Sequence, residues 1–174
     1  MTLSDRTERC VGCGATVPRI EGPIHRYMTS APGCWASFGE VCAHHLSDPE
    51  ASRYRQLCAD AYAVQHPGQP GPQATQSVGG HLVSLLAQLE YGLPVPRASA
   101  LLERGIRRKG YFTWLAPPSF DSMHTVLFML ANLHDPAWAA REWAASAWKA
   151  WALHHTQVRA WYAELSRNLD TRLD

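Results

Sequence analysis

The sequence predicts an all-α fold, a helical bundle carrying a small cysteine-bearing knuckle at its N-terminus. Three observations point there. From Asp135 to about Arg167 the apolar residues recur with a helical period. No stretch shows the strict alternation of a half-buried strand. Ahead of the helical signals, Cys10-x-x-Cys13 lies in a segment rich in Gly, Pro, Thr and Arg with no helical period. The organisation that follows is one domain, a knuckle segment at 1–34 packed on a bundle at 35–174. With 174 residues, 46% of them hydrophobic and 18% charged, the chain can fill a core, which excludes a disordered protein.

Each element has its own signal. Cys10-Val-Gly-Cys13-Gly14 reads as a knuckle, because glycines let the backbone turn until both sulfurs face one point. Trp35, Phe38, Cys42 and His45 recur at helical spacing, so a helix follows Gly33. Ser47-Asp48-Pro49-Glu50 starts a second helix, with Asp48 as cap and Pro49 in the first turn. Tyr54, Leu57, Cys58, Ala61 and Val64 share its apolar face, and Pro67 ends it by forcing His66 out of helical geometry. A Pro/Gly/Gln-rich loop at 67–73 precedes a third helix from about Thr75 to Tyr91, striped with Val78, Leu82, Leu85, Leu86 and Leu89. A fourth runs from near Pro96 to Lys109-Gly110. Its closing Arg104, Arg107, Arg108 and Lys109 read as a solvated helix end, where positive charge suits the macrodipole. Tyr111 to Leu115 is an aromatic extended segment lying over the bundle, and a helix around Met123 to Leu133 follows.

The last helix is predicted to be the longest. At about 100° per residue from Trp138, eight positions fall within roughly 140–220°. They are Ala140, Trp143, Ala147, Trp151, His154, Val158, Trp161 and Leu165. Glu142, Lys149, Gln157, Glu164 and Arg167 occupy the other face.

Charge and composition narrow the function classes. Lys plus Arg is 16 against 15 for Asp plus Glu, a net charge of +1, which lacks the basic excess of a phosphate-driven nucleic-acid binder. No apolar run approaches the roughly 18–20 residues needed to cross a bilayer. The polar stretch from Met1 to Arg9 lacks the core of a signal peptide, so a cytoplasmic protein is expected. Five cysteines cannot all pair within one chain, and in a reducing compartment Cys10-x-x-Cys13 reads as a metal clip.

Structural zinc takes four borderline donors in a tetrahedron, and Cys10 and Cys13 supply two. Two pairs compete to complete the set. His25 and Cys34 flank a Gly/Pro loop that folds back easily. Cys42-x-x-His45 would present both groups on one face of a helix. The bland alternative is a set of unrelated buried thiols.

Several phrases resemble an uncharacterised bacterial family known only as a domain of unknown function. They are Cys10-x-x-Cys13-Gly14, His25-Arg26-Tyr27-Met28, Pro32-Gly33-Cys34-Trp35, the run from Asp60 to Gly68, Gln76-Ser77-Val78, and His154-His155 before Val158-Arg159-x-Trp161. The resemblance covers Cys10 to about Trp161. It implies that His25 and Cys34 belong with the cysteine pair, giving Cys10, Cys13, His25 and Cys34 as the zinc ligands. It carries no activity.

A second constellation comes from the nine histidines. His154 falls inside the apolar stripe of the last helix and His155 on its shoulder, about 100° away. His81 lies on the polar shoulder of its helix with Ser77 and Gln88, and His66 ends the helix carrying Asp60. In a bundle, His66 and His81 with either His154 or His155 would form a three-histidine site with one open position for a second metal ion. Asp60 would serve as ligand, orienting partner or base. This plan is similar to that of the bacterial metal-dependent helical-bundle thiol transferases, by analogy of fold. Those pair histidines one turn apart on the last helix, and His154-His155 departs from that spacing. No nucleophile-elbow, P-loop or dinucleotide glycine motif is present.

The expectation is therefore a zinc-binding helical protein with a histidine-lined pocket, a metal-dependent enzyme acting on a small-molecule substrate with Asp60, His66, His81, His154 and His155 as its catalytic group. The alternative is a non-catalytic zinc-stabilised module that binds a partner protein, for which Trp35, Trp114 or Trp138 would have to be exposed as one apolar patch.

Overall fold

A computed structural model describes residues 6–167; the outermost residues of the expected 1–34 and 35–174 segments, 1–5 and 168–174, lie outside the described residues. The fold is all-α apart from one two-stranded hairpin. The hairpin pairs β1 (Thr7–Arg9) with β2 (Thr16–Pro18), Glu8 opposite Val17. Strands this short leave almost no alternation to read, so the pattern of residues does not announce them. The cysteine knuckle is the turn of this hairpin. Cys10 N–H donates to Ala15 O at 2.8 Å, Gly14 N–H donates to Cys10 O at 2.9 Å, and Gly14 adopts φ 76°, a region glycine enters without strain.

Eight α-helices follow among the described residues: α1 (Pro32–Ser47), α2 (Pro49–Ser52), α3 (Arg55–Gln65), α4 (Pro72–Leu89), α5 (Val95–Arg107), α6 (Val126–Ala131), α7 (Pro136–Ala150) and α8 (His155–Ser166). Asp48 caps α2 as its sequence position suggests, accepting from Glu50 N–H at 2.8 Å. The expected single helix from Pro49 to His66 is broken between α2 and α3. Arg53 and Tyr54 bond carbonyls three residues back, and this tightening turns the chain.

The expected unbroken last helix is also two helices. A 3-10 turn at Ala152–His154 separates α7 from α8, with Trp151 N–H on Trp148 O and His154 N–H on Trp151 O. No Pro or Gly marks the place, so the period alone carries no warning. The bend leaves Leu153 94% exposed while Val158, Trp161 and Leu165 stay buried.

Helix α4 is the centre of the bundle and packs against α3, α5, α7 and α8. Its Val78, Leu82, Val83, Leu85 and Leu86 are buried. Trp143 of α7 and Trp151 just after it are buried against α3, where their indole N–H groups donate to Gln65 Oε1 at 2.9 Å and Val64 O at 3.2 Å. Satisfying those donors lets two large rings sit in the core without leaving a polar group unpaired. The aromatic segment after α5 is a strap. Phe112 plugs the space over Gly79 and Gly105 and meets Trp161 edge-on at 4.9 Å. No helix among the described residues is long and apolar enough to cross a membrane.

Candidate metal centre

Three separate elements bring their chemistry to one point behind the hairpin. The turn supplies Cys10 and Cys13. The first turn of α1 supplies Cys34, and the residue that ends α3 supplies His66. The ligand atoms of these four side chains all lie within 4.8 Å of one another. Cys13 Sγ is 3.8 Å from Cys34 Sγ. His66 Nε2 is 3.4 Å from Cys34 Sγ and 3.5 Å from Cys10 Sγ. All four residues are buried, none exposed beyond 2%. Three thiols and one imidazole pointing inward at this spacing could hold a metal ion.

Local structure explains how each is aimed. Pro67 follows His66, so α3 stops there and the ring turns back toward the hairpin. His66 Nδ1–H donates to Tyr62 O at 2.7 Å, one turn earlier, which fixes the tautomer and leaves the Nε2 lone pair facing the sulfurs. The Tyr62 ring stacks on His66 at 4.0 Å, backed in turn by Phe38 at 4.1 Å. Gly12 lets the turn approach this closely, because a Cβ there would collide with Thr29 O and the His66 ring.

Hydrogen-bond donors converge on two of the sulfurs. Cys34 sits in the first turn of a helix whose N-cap, Ala31, offers no side-chain cap, so free N–H groups and the macrodipole point at it. Ala31 N–H donates to Cys10 Sγ at 3.4 Å, and Tyr62 O–H donates to Cys34 Sγ at 3.7 Å. Hydrogen bonds from Cys13 and Cys34 hold the Cys10 thiol far below its ordinary range, and contacts with Cys10 and Cys13 push Cys34 far above. Burial pulls His66 down, but Cys10 and Cys13 outweigh it and raise its pKa to about 9.

The structure thus brings Cys10, Cys13 and Cys34 together and draws the fourth donor from His66, where the family resemblance implies His25. His25 lies instead against the edges of Tyr27, at 4.5 Å, and Trp35, at 5.3 Å. The rival pair is not in the cluster either. Cys42 is half-buried on α1, and His45 is buried with neither ring nitrogen partnered.

The expected pocket of His66, His81, His154 and His155 is not assembled. His66 is committed to the sulfurs. The break before α8 turns His154 onto the strap, where its Nε2 donates to Ala116 O at 2.9 Å. His155 stacks on Trp148 at 3.8 Å and its Nε2 donates to Trp148 O at 3.0 Å. Among the described residues no second group of three or more metal-binding side chains comes together. Asp60 and His81 do meet: His81 Nδ1–H donates to Asp60 Oδ1 at 2.7 Å. Sequence reasoning missed the other partners of that carboxylate, Gln56, Ser84 and Gln88. Their spacing of four from Asp60, and of three and seven from His81, was the available signal.

Residues 8–152 match DUF5946, described only as a family of unknown function. No curated protein matches the chain. No solved structure matches it either.

Proposed function

The chain belongs to the DUF5946 family, whose function is unknown, and from the geometry of its own side chains we propose that it is a zinc-stabilised binding module whose metal is structural. The observation that carries this reading is the closed donor set. Zn–S bonds of about 2.3 Å and Zn–N bonds of about 2.0–2.1 Å imply tetrahedral edges of about 3.8 Å between sulfurs and about 3.5 Å between sulfur and nitrogen. Three of the six spacings match these edges, Cys13–Cys34 at 3.8 Å and His66 to Cys34 and Cys10 at 3.4 and 3.5 Å, and all six lie within 4.8 Å. Thiolate-rich tetrahedral sets select zinc over harder ions.

Four protein ligands leave no position for a water or substrate, which is the pattern of structural rather than catalytic zinc. Bound there, the ion would supply cross-linking: it would join the hairpin turn, the start of α1 and the end of α3. The metal-dependent enzyme expected from the sequence loses support, because its open three-histidine site is not formed. Of Trp35, Trp114 and Trp138 only Trp138 is exposed, so the apolar patch that the module reading called for is not formed by those rings; its support is instead the exposed apolar side chains of the hairpin turn and the segment after it, Val11 at 74%, Ile20 at 43% and Ile24 at 53%. A partner protein is the ligand class we assign to these exposed apolar side chains.

Cobalt substitution tests the closed shell. The Co(II) protein is expected to show intense visible bands of a tetrahedral thiolate-rich site, unchanged by azide or cyanide at concentrations that leave the cobalt bound. A spectrum that shifts as the anion coordinates would reveal an open position and return the catalytic reading.

A further inference from the structure

The most demanding polar group in the bundle has no part in the metal centre. Asp60 is fully buried on α3. Its Oδ1 accepts from Gln56 Nε2 at 2.8 Å and His81 Nδ1 at 2.7 Å. Its Oδ2 accepts from Ser84 Oγ at 2.6 Å and Gln88 Nε2 at 2.8 Å. Placing a carboxylate in the core costs several kcal/mol before its partners compensate, and an apolar pair of the same volume would hold α3 to α4 without that cost. The four donors engage lone pairs on both oxygens of an ionised group, which an amide could not offer on two atoms.

This network has one outlet. The His81 side chain is 17% exposed, whereas that of Asp60 is 0% exposed. With Nδ1–H tied to the carboxylate, Nε2 carries the free lone pair. It has no hydrogen-bond partner among the described residues, and it is not among the buried orphans. A buried carboxylate that fixes the tautomer and the orientation of an imidazole is the arrangement of an oriented general base. No hydroxyl or thiol side chain is bonded to that nitrogen, so the proton it takes comes from water or from the ligand. His25 lies close enough that charge on His81 adds to burial in disfavouring its protonation. His25 in turn packs edge-on against the Tyr27 and Trp35 rings, which makes this neighbourhood aromatic and uncharged.

We propose that Asp60 and His81 form a metal-independent acid–base site in which His81 Nε2 activates water against small, uncharged acyl compounds, with Asp60 as positioning residue. In the step, a water O–H bond breaks and its proton goes to Nε2 as the oxygen bonds to the carbonyl carbon. The carbonyl–leaving-group bond then breaks, and the departing alkoxide takes the proton back from the imidazolium. The products are the acid and the alcohol. This function is separate from the zinc centre and does not depend on it being structural.

The test is hydrolysis of p-nitrophenyl acetate by the full zinc-loaded chain. The wild type is expected to exceed free imidazole at equal concentration. His81→Gln can still donate an amide N–H to Asp60, so the buried carboxylate keeps a partner. It is expected to keep its zinc and helix content and lose the rate roughly tenfold or more. Asp60→Asn, if folded, should lower kcat with little change in KM, because an amide facing His81 no longer dictates which ring nitrogen carries the proton. A wild-type rate no greater than imidazole, or a His81→Gln variant as fast as wild type, would overturn the proposal.

Discussion

The Nδ1–H of His66 donates to the carbonyl of Tyr62 at 2.7 Å, one helical turn before it, and the two rings stack at 4.0 Å. The final turn of α3 is therefore built to point one nitrogen away from its own helix and into the hairpin. A histidine ending a helix in solvent would need neither contact. Together they hold the fourth donor ready before any ion binds, which lowers the ordering cost of binding.

Loss of either knuckle cysteine should separate the metal from the bundle. The hairpin has three-residue strands and buries little beyond Val17, Ala15 and its own two cysteines. Metal binding and its ordering are thus coupled. Cys10→Ala and Cys13→Ala are expected to abolish metal binding and speed amide exchange across Thr7–Pro18, while α4 and α7 keep native protection. Unchanged exchange in the hairpin of a metal-free variant would show that its packing suffices.

Two glycines should respond in opposite directions to the same substitution. A methyl at Gly12 would run into Thr29 O and the His66 ring, and one of these is backbone. Gly39 lies in the exposed middle of α1, where a Cβ would meet nothing within 4 Å. Gly39→Ala should stabilise the fold by about 0.5–1 kcal/mol. Gly12→Ala should lower both stability and metal affinity. Denaturant melts paired with metal competition titrations would check both signs.

How much of this could be read from the sequence depends on how locally each feature is encoded. The α4 stripe and the Asp48 cap repeat or act within one turn, and both appear where the pattern puts them. The break at Ala152–His154 has no local marker, because α7 must follow α3 while α8 turns onto α4 and α5. That tertiary demand displaced His154 from the pocket its phase implied. The fourth metal donor failed for a similar reason. His66 lies 32 residues from Cys34 and 56 from Cys10, far outside the spacings that make short metal motifs legible. His25 entered the expected set through the family resemblance, which couples its phrase with those of the cysteines. Tyr62 four residues ahead and Pro67 just after are the clues that His66 ends a helix with its ring held.

Acid should weaken the contact between α4, α7 and α8 through Glu90. Partial burial pulls the pKa of Glu90 upward, but hydrogen bonds from Arg159 and then Trp148 outweigh it and leave it below the ordinary carboxylate value. A depressed native pKa means stabilisation that is complete above the unfolded value of about 4.3 and is lost as pH falls through the native one. Because the Glu90 and Arg159 side chains are both part-exposed, the contribution is below about 1 kcal/mol. Glu90→Gln should lower stability slightly at neutral pH and match the wild type in acid. A difference that persists unchanged into acid would place the effect in packing instead.

The zinc content of His66→Ala and His25→Ala, purified and measured side by side with the wild type, tests the central claim most directly. The wild type should carry one zinc per chain. His25→Ala should carry the same, and its cobalt form should keep the wild-type visible spectrum. His66→Ala should lose the metal or hold it only weakly, with a cobalt spectrum altered toward three sulfurs and a water. Zinc retained in His66→Ala and lost from His25→Ala would contradict the assignment of Cys10, Cys13, Cys34 and His66 as the metal centre.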